Sequence, residues 1–319
     1  MSRFRSASGK FAVPGLVLAL AFPVISGCDE EEASVSAAQV PADSSGDSTT
    51  AVPEGTDVWL LDLVMEENSL RAVQPRNLTS RPGYDNQPYF LPTGELLYVQ
   101  MAGEKTDLWR WIPGSKATSR FTTTVEESEF SPTPIPQSDG GVSYIRSRTN
   151  TSGRLWQMPQ KGADAEIVFA DIGPVGYHAW FDADHVALWL LQEPSLLQVV
   201  TISTGEAQPI ARGVGRSPQS VPNRRAVSFT RPSDEGTLLE VYDLDETAVN
   251  TLAILPEGGE FHAWMPDGRL LSTAGSQLFQ WRAGAWESIA DLGLLDLNLS
   301  RLAVSPDGSR LALVAEPSH

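Results

Sequence analysis

Two histidines recur in one short phrase. "HAW" places His178 beside Trp180, and again His262 beside Trp264. Imidazole is a common metal ligand and a common general base, so the repeat raises both chemistries. No second pair of ligand residues matches the positions of these two, which leaves a packing position beside each Trp as the expectation and no metal site. Carboxylates precede several short apolar runs: Asp85, Glu126, Glu127, Glu129 and Glu260. Two opposed carboxyls of different pKa would suit glycan hydrolysis, and solvated loop acids are the alternative. A serine nucleophile on a strand-to-helix elbow needs Gly-x-Ser-x-Gly, and no such pentapeptide occurs. Cys28 is the sole cysteine, so it has no internal disulfide partner. Its neighbours in "CDEEEA" are carboxylates, which raise a thiol pKa and blunt it as a nucleophile. No cofactor is implied by any of these residues.

The elements that must carry them are short and β-rich. From residue 57 onward there is no sustained helical periodicity, and Pro, Gly and Asp punctuate the runs. The clearest unit is "YDNQPYFLPTGELLYV" (84–99), then "DLWRW" (107–111) and "TSRFT" (118–122). Its turn carries Pro to preset φ and Gly to tolerate the exit, as do "MPDGR" (265–269) and "SPDGS" (305–309). First strands with turns recur six times, with the turn column read as Pro92, Pro132, Asp182, Pro222, Pro266 and Pro306. Spacings of 40, 50, 40, 44 and 40 residues suit four-stranded propeller blades. The long step is assigned to the loop "RSRTNTSG" (146–153). The sixth copy lacks a third strand, whereas "DVWLLDL" (57–63) and "RNLT" (76–79) read as an unmatched third and fourth strand. The expectation is an all-β, six-bladed β-propeller of four-stranded antiparallel blades over 56–319, its last blade completed by N-terminal strands.

"NLTSRPGYDNQPYFLPTGELLYV" (77–99) resembles the repeat of the TolB-type propeller. The match rests on Leu78, Thr79, Tyr84 to Pro88, Phe90, Pro92 and Gly94, and is weaker in the second to fourth copies. That resemblance implies a periplasmic protein-binding scaffold. TolB carries a small α/β domain ahead of its propeller, where this chain has a different segment.

The first 27 residues read as an export signal: Arg3, Arg5 and Lys10, then the apolar "FAVPGLVLALAFPVI" (11–25), too short for a membrane span. "ISGC" resembles the bacterial lipobox, which implies lipid attachment at Cys28 and cleavage before it. Residues 28–55 are acidic and Ser-rich, read as a disordered tether with a reach of roughly 30 Å. Removal of a leader with three basic and no acidic residues takes the net charge from −17 to −20. Such a surface disfavours nucleic acid and anionic lipid headgroups. Asp29 resembles the inner-membrane retention residue of enteric lipoproteins, with inner and outer membrane both left open.

Loops entering each innermost strand converge on one tunnel mouth. The candidate binding face is Tyr84, Asp85, Gln87, Glu129, Tyr177, His178, Arg216, Gln219, Glu260, His262 and Arg301. The expected protein is a non-enzymatic, monomeric, lipid-anchored envelope protein facing the periplasm, which recognises an envelope protein or cell-wall component. The alternative is a small propeller enzyme, a glycan hydrolase or lyase using mouth carboxylates.

Overall fold

The computed structural model describes residues 55–317 apart from residue 68 and residues 149–151. The signal (1–27), Cys28 and all but the last residue of the 28–55 tether lie outside the described residues.

Among the described residues, twenty-four strands form six sheets of four. β1 (Asp57–Glu66) and β2 (Ser69–Asn77) come first. Blade 1 is β3 (Asp85–Phe90), β4 (Leu96–Ala102), β5 (Lys105–Trp111) and β6 (Thr118–Arg120). Blade 2 is β7 (Ser128–Pro134), β8 (Val142–Ser147), β9 (Arg154–Met158) and β10 (Glu166–Ile167). Blade 3 is β11 (Val175–Trp180), β12 (His185–Leu190), β13 (Leu196–Thr201) and β14 (Ala207–Arg212). Blade 4 is β15 (Gln219–Ser220), β16 (Ala226–Ser233), β17 (Gly236–Asp243) and β18 (Ala248–Ile254). Blade 5 is β19 (His262–Trp264), β20 (Leu270–Ala274), β21 (Gln277–Arg282) and β22 (Ala285–Asp291). Blade 6 begins with β23 (Leu297–Val304) and β24 (Arg310–Pro317) and is finished by β1 and β2, in the order β2-β1-β24-β23. Every pairing is antiparallel, and Asp57 faces Ala315 where the two chain ends meet.

Period-two alternation explains the packing, because each sheet is buried on both faces. In β4, Leu96 and Tyr98 join Val58 and Leu60 of blade 6, while Leu97 and Val99 join Val142 and Tyr144 of blade 2. In β1, Leu61 and Leu63 turn the other way, toward Leu271 and Leu278 of blade 5. Polar bonds lock the junction. Asp57 accepts from Thr79 Oγ1 at 2.8 Å and from Asn77 Nδ2 at 2.7 Å. Thr56 and Asp85 exchange backbone and hydroxyl bonds at 3.0 Å.

Two sequence expectations are corrected. The turn of blade 2 is set by Pro136, not Pro132. Ile135 N–H bonds Gly141 O at 3.0 Å, the closure made by Leu91 N–H to Glu95 O in blade 1. Pro132 instead lies inside β7, beside a bulge where Ser131 adopts φ 53°. "SPTPIPQSDGG" offers three prolines, and the first imitated the turn. With Pro136 in place the column is spaced 44, 46, 40, 44 and 40 residues apart, and the irregular step disappears. The fourth strand of blade 6 is Ser69–Asn77 rather than 76–79, because β1 runs on to Glu66 and folds back as a hairpin.

Candidate functional site

The residue five places ahead of each turn position forms an inner ring: Gln87, Ser131, Tyr177, Ser217, Phe261 and Arg301. A strand bulge accompanies it in blades 1, 2, 3 and 6, which tips the side chain toward the axis. Arg301 crosses the tunnel. Its Nη2 donates to Tyr177 Oη at 2.8 Å, in the blade directly opposite, and its Nη1 donates to Asn86 Oδ1 at 3.3 Å. The guanidinium lies 4.6 Å from the Phe261 ring centroid and 5.2 Å from that of Tyr177. Gln87 Nε2 donates to Tyr84 Oη at 3.1 Å, and Gln87 Oε1 accepts from Ser131 N–H at 2.6 Å. Burial pushes the Tyr84 phenol up to about 12, against the lowering pull of Arg301 and Arg216, with Tyr177 also raising it. Tyr84, Tyr177, Arg216 and Arg301 therefore share one electrostatic neighbourhood. Among the described residues, neither Arg216 nor Arg301 has a carboxylate partner.

The two HAW histidines do not reach solvent. His178 Nε2 meets Ser143 Oγ at 2.7 Å, and Trp180 Nε1–H donates to the same oxygen at 2.9 Å. His262 Nε2 and Trp264 Nε1 meet Ser228 Oγ at 2.7 and 2.8 Å. Each serine donates to a strand carbonyl, Thr133 O or Gln219 O, so each accepts from its imidazole and its indole. Ser217 Oγ completes His262 by facing Nδ1 at 3.1 Å, while Nδ1 of His178 has no partner among the described residues. Burial drives both imidazole pKa values down to about 3, so both rings stay neutral. The triad is a clamp from one blade to the second strand of the preceding one. Ser228→Ala should leave two N–H groups stranded at about 1–3 kcal/mol each. Ser272→Ala, which removes a single bond to Phe261 O, should cost about 1 kcal/mol. Urea unfolding of the two variants checks the ordering, and equal losses would contradict it.

Glu126, Glu127 and Glu129 gather around Arg146 and Arg148, whereas Asp85 pairs with Arg81. Glu129 is fully buried, bonded to Thr122, to Thr124 Oγ1 at 2.6 Å and to Arg146 Nη2 at 3.0 Å. Asp85 is fully buried against Arg81 at 2.7 Å, and burial lifts its carboxyl to about 6 despite that cation. Glu260 is exposed, Glu126 and Glu127 pair with Arg148, and Gln219 contributes its backbone to β15. The structure thus gathers Tyr84, Gln87, Tyr177 and Arg301, with Arg216 nearby. It sets His178, His262, Asp85 and Glu129 in the wall. Asn86, Ser217 and Phe261 fall within the loop segments expected at the mouth without being named as candidates; Ser131 falls outside them, and only the corrected turn at Pro136 identifies it as a ring position.

The opposite, turn-side mouth is open, with a cavity of about 330 Å³ touching Tyr89, Pro134, Gln219 and Trp264. Beside it a cleft of about 1160 Å³ lies against blades 3 and 4. Its cations are spoken for: Arg225 binds Asp182 at 2.7 Å and Arg224 binds Asp243 at 2.6 Å. No group of three or more His, Cys, Asp or Glu suited to a metal occurs among the described residues.

No protein-family model and no curated protein matches the chain. Solved structures do. A TolB protein from Agrobacterium tumefaciens superposes with a TM-score of 0.62 at 17% identity, over 82% of this chain and 98% of its own. TolB from Acinetobacter baumannii gives 0.54 at 14% identity, over 82% of this chain; this chain spans 65% of that protein's length. A gluconolactonase from Xanthomonas campestris gives 0.54 at 9% identity, over 73% of this chain and 86% of its own. At these identities the likeness is one of architecture, and the architecture is the TolB-type six-bladed β-propeller.

Proposed function

We propose that this chain is a lipid-anchored protein of the bacterial cell envelope that works by binding, with no catalytic step, and docks a protein partner on the face where loops enter the inner strands. The observation that carries the reading is the combination at that face of a mouth crossed by Arg301 with exposed apolar loop residues. Val125, in the connection from blade 1 to blade 2, is 88% exposed, and Leu294, in the connection from blade 5 to blade 6, is fully exposed. A docked protein would bury Val125 and Leu294 around the arginines of the mouth, and arginine and tyrosine are frequent interface anchors. The likeness to TolB structures supports a scaffold role, and the lipobox-like "ISGC" supports attachment through Cys28. Glu127 and Glu129 share Arg146, and Glu129 is fully buried there, so this acidic cluster reads as an ion-paired part of the wall rather than as a hydrolase or lyase pair.

A photocrosslinking residue placed at Val125 or Leu294 in intact cells should yield adducts with an envelope protein, and Cys28→Ala should move the chain to the soluble fraction. Adducts obtained only from a turn-side position such as Asn223 would reject the proposed face.

A further inference from the structure

The unpaired arginines at the mouth deserve a chemical explanation. The chain carries 40 acidic against 23 basic residues, yet Arg301 and Arg216 stand without a carboxylate where most of the other arginines have found one. Arg301 is half-buried, which raises the cost of an uncompensated charge. Two aromatic faces and two neutral acceptors, Tyr177 Oη and Asn86 Oδ1, hold it in place. Such a setting fixes the position of the charge without neutralising it.

We propose that the mouth is a receptor for a carboxylate of the docked protein partner, bound by Arg301 with help from Arg216 and the Tyr84 hydroxyl. The proposal deepens the docking reading above and rests on it. A guanidinium pre-oriented by stacking presents its remaining N–H groups to a planar anion at little entropic cost. The Tyr84 oxygen already accepts from Gln87, so its O–H remains to donate. With its phenol pKa near 12, Tyr84 stays a neutral donor at physiological pH. Sugar acids are disfavoured as the occupant, because the Phe261 and Tyr177 faces that would stack a pyranose are covered by the guanidinium. The surrounding negative surface sharpens selection, since it repels acidic chains that do not place one carboxylate on the axis.

The test uses the full mature chain with ¹³C-labelled tyrosine rings. Two peptides are titrated at constant ionic strength: acetyl-Gly-Leu with a free C-terminus and acetyl-Glu-amide with a side-chain carboxylate. Acetyl-Gly-Leu-amide, sodium chloride and trigalacturonate serve as comparisons. Saturable shifts of the Tyr84 and Tyr177 signals are expected with one or both carboxylate peptides and not with the amide or chloride. Affinity should fall at least tenfold in Arg301→Gln and several-fold in Arg216→Gln, with Arg301→Lys intermediate. Should Arg301→Gln fail to fold by circular dichroism, the exposed Arg216→Gln decides. The absence of saturable shifts, shifts indifferent to Arg216→Gln, or trigalacturonate binding ten times tighter than both peptides would each overturn the proposal. Crosslinks from Leu294 that persist in Arg301→Gln and Arg216→Gln would overturn the carboxylate receptor while leaving the docking face intact; loss of those crosslinks in both variants would support it.

Discussion

Arg146→Ala is expected to destabilise the protein by about 3–5 kcal/mol, because it removes the cation paired with the fully buried Glu129 carboxyl. Arg146 does more than neutralise. Its guanidinium sits 4.3 Å from the Trp156 ring centroid and donates to Tyr144 Oη at 2.9 Å, so it ties three strands of blade 2 to the incoming loop. The double variant Glu129→Gln with Arg146→Met should recover much of the loss, since it removes both charges and keeps the volume. Urea unfolding with a shifted midpoint and an unchanged slope is the expected signature. A small effect of Arg146→Ala would mean that Glu129 is solvated, and would reopen its use in chemistry.

Leu61→Ala should cost about 2–5 kcal/mol. Leu61 is 1% exposed and packs between blades 5 and 6 with Leu271, Leu278 and Leu311. Its strand is also the only one that closes the ring, by pairing β1 with β24. Leu239→Ala, equally buried but within the self-contained blade 4, serves as the comparison. If closure is cooperative, Leu61→Ala should lower the midpoint of every Trp signal together. Loss of blade 6 signals alone would show that the other five blades hold without it.

How much of this was written in the residues depends on distance along the chain. The six blades were legible because each turn carries its own local chemistry: Pro92 with Gly94, Pro266 with Gly268, Pro306 with Gly308. The closure was legible for the same reason, since "DVWLLDL" (57–63) is a third strand without a blade. Blade 2 was misread by four residues because Pro132 and Pro136 are equivalent to any local rule, and only the Ile135–Gly141 bond distinguishes them. The contact of Arg301 across the tunnel lay further out of reach. Arg301 and Tyr177 are 124 residues apart, and no spacing rule announces that they meet across an axis. Glu129 was likewise opaque, because Thr122, Thr124 and Arg146 look no different in sequence whether they are bathed in water or closed around an anion.

One detail of the junction bears on how the molecule is oriented. Thr56 is bonded to Asp85, and Asp57 lies opposite Ala315, so both described ends emerge on the side where the inner strands begin. Whatever precedes residue 55 must set off from the same side as the arginine-bearing mouth. If that run leads to a bilayer as a flexible tether, the ring is held by the side that carries the mouth yet free to turn, and partners in the same leaflet or beyond it can both be met.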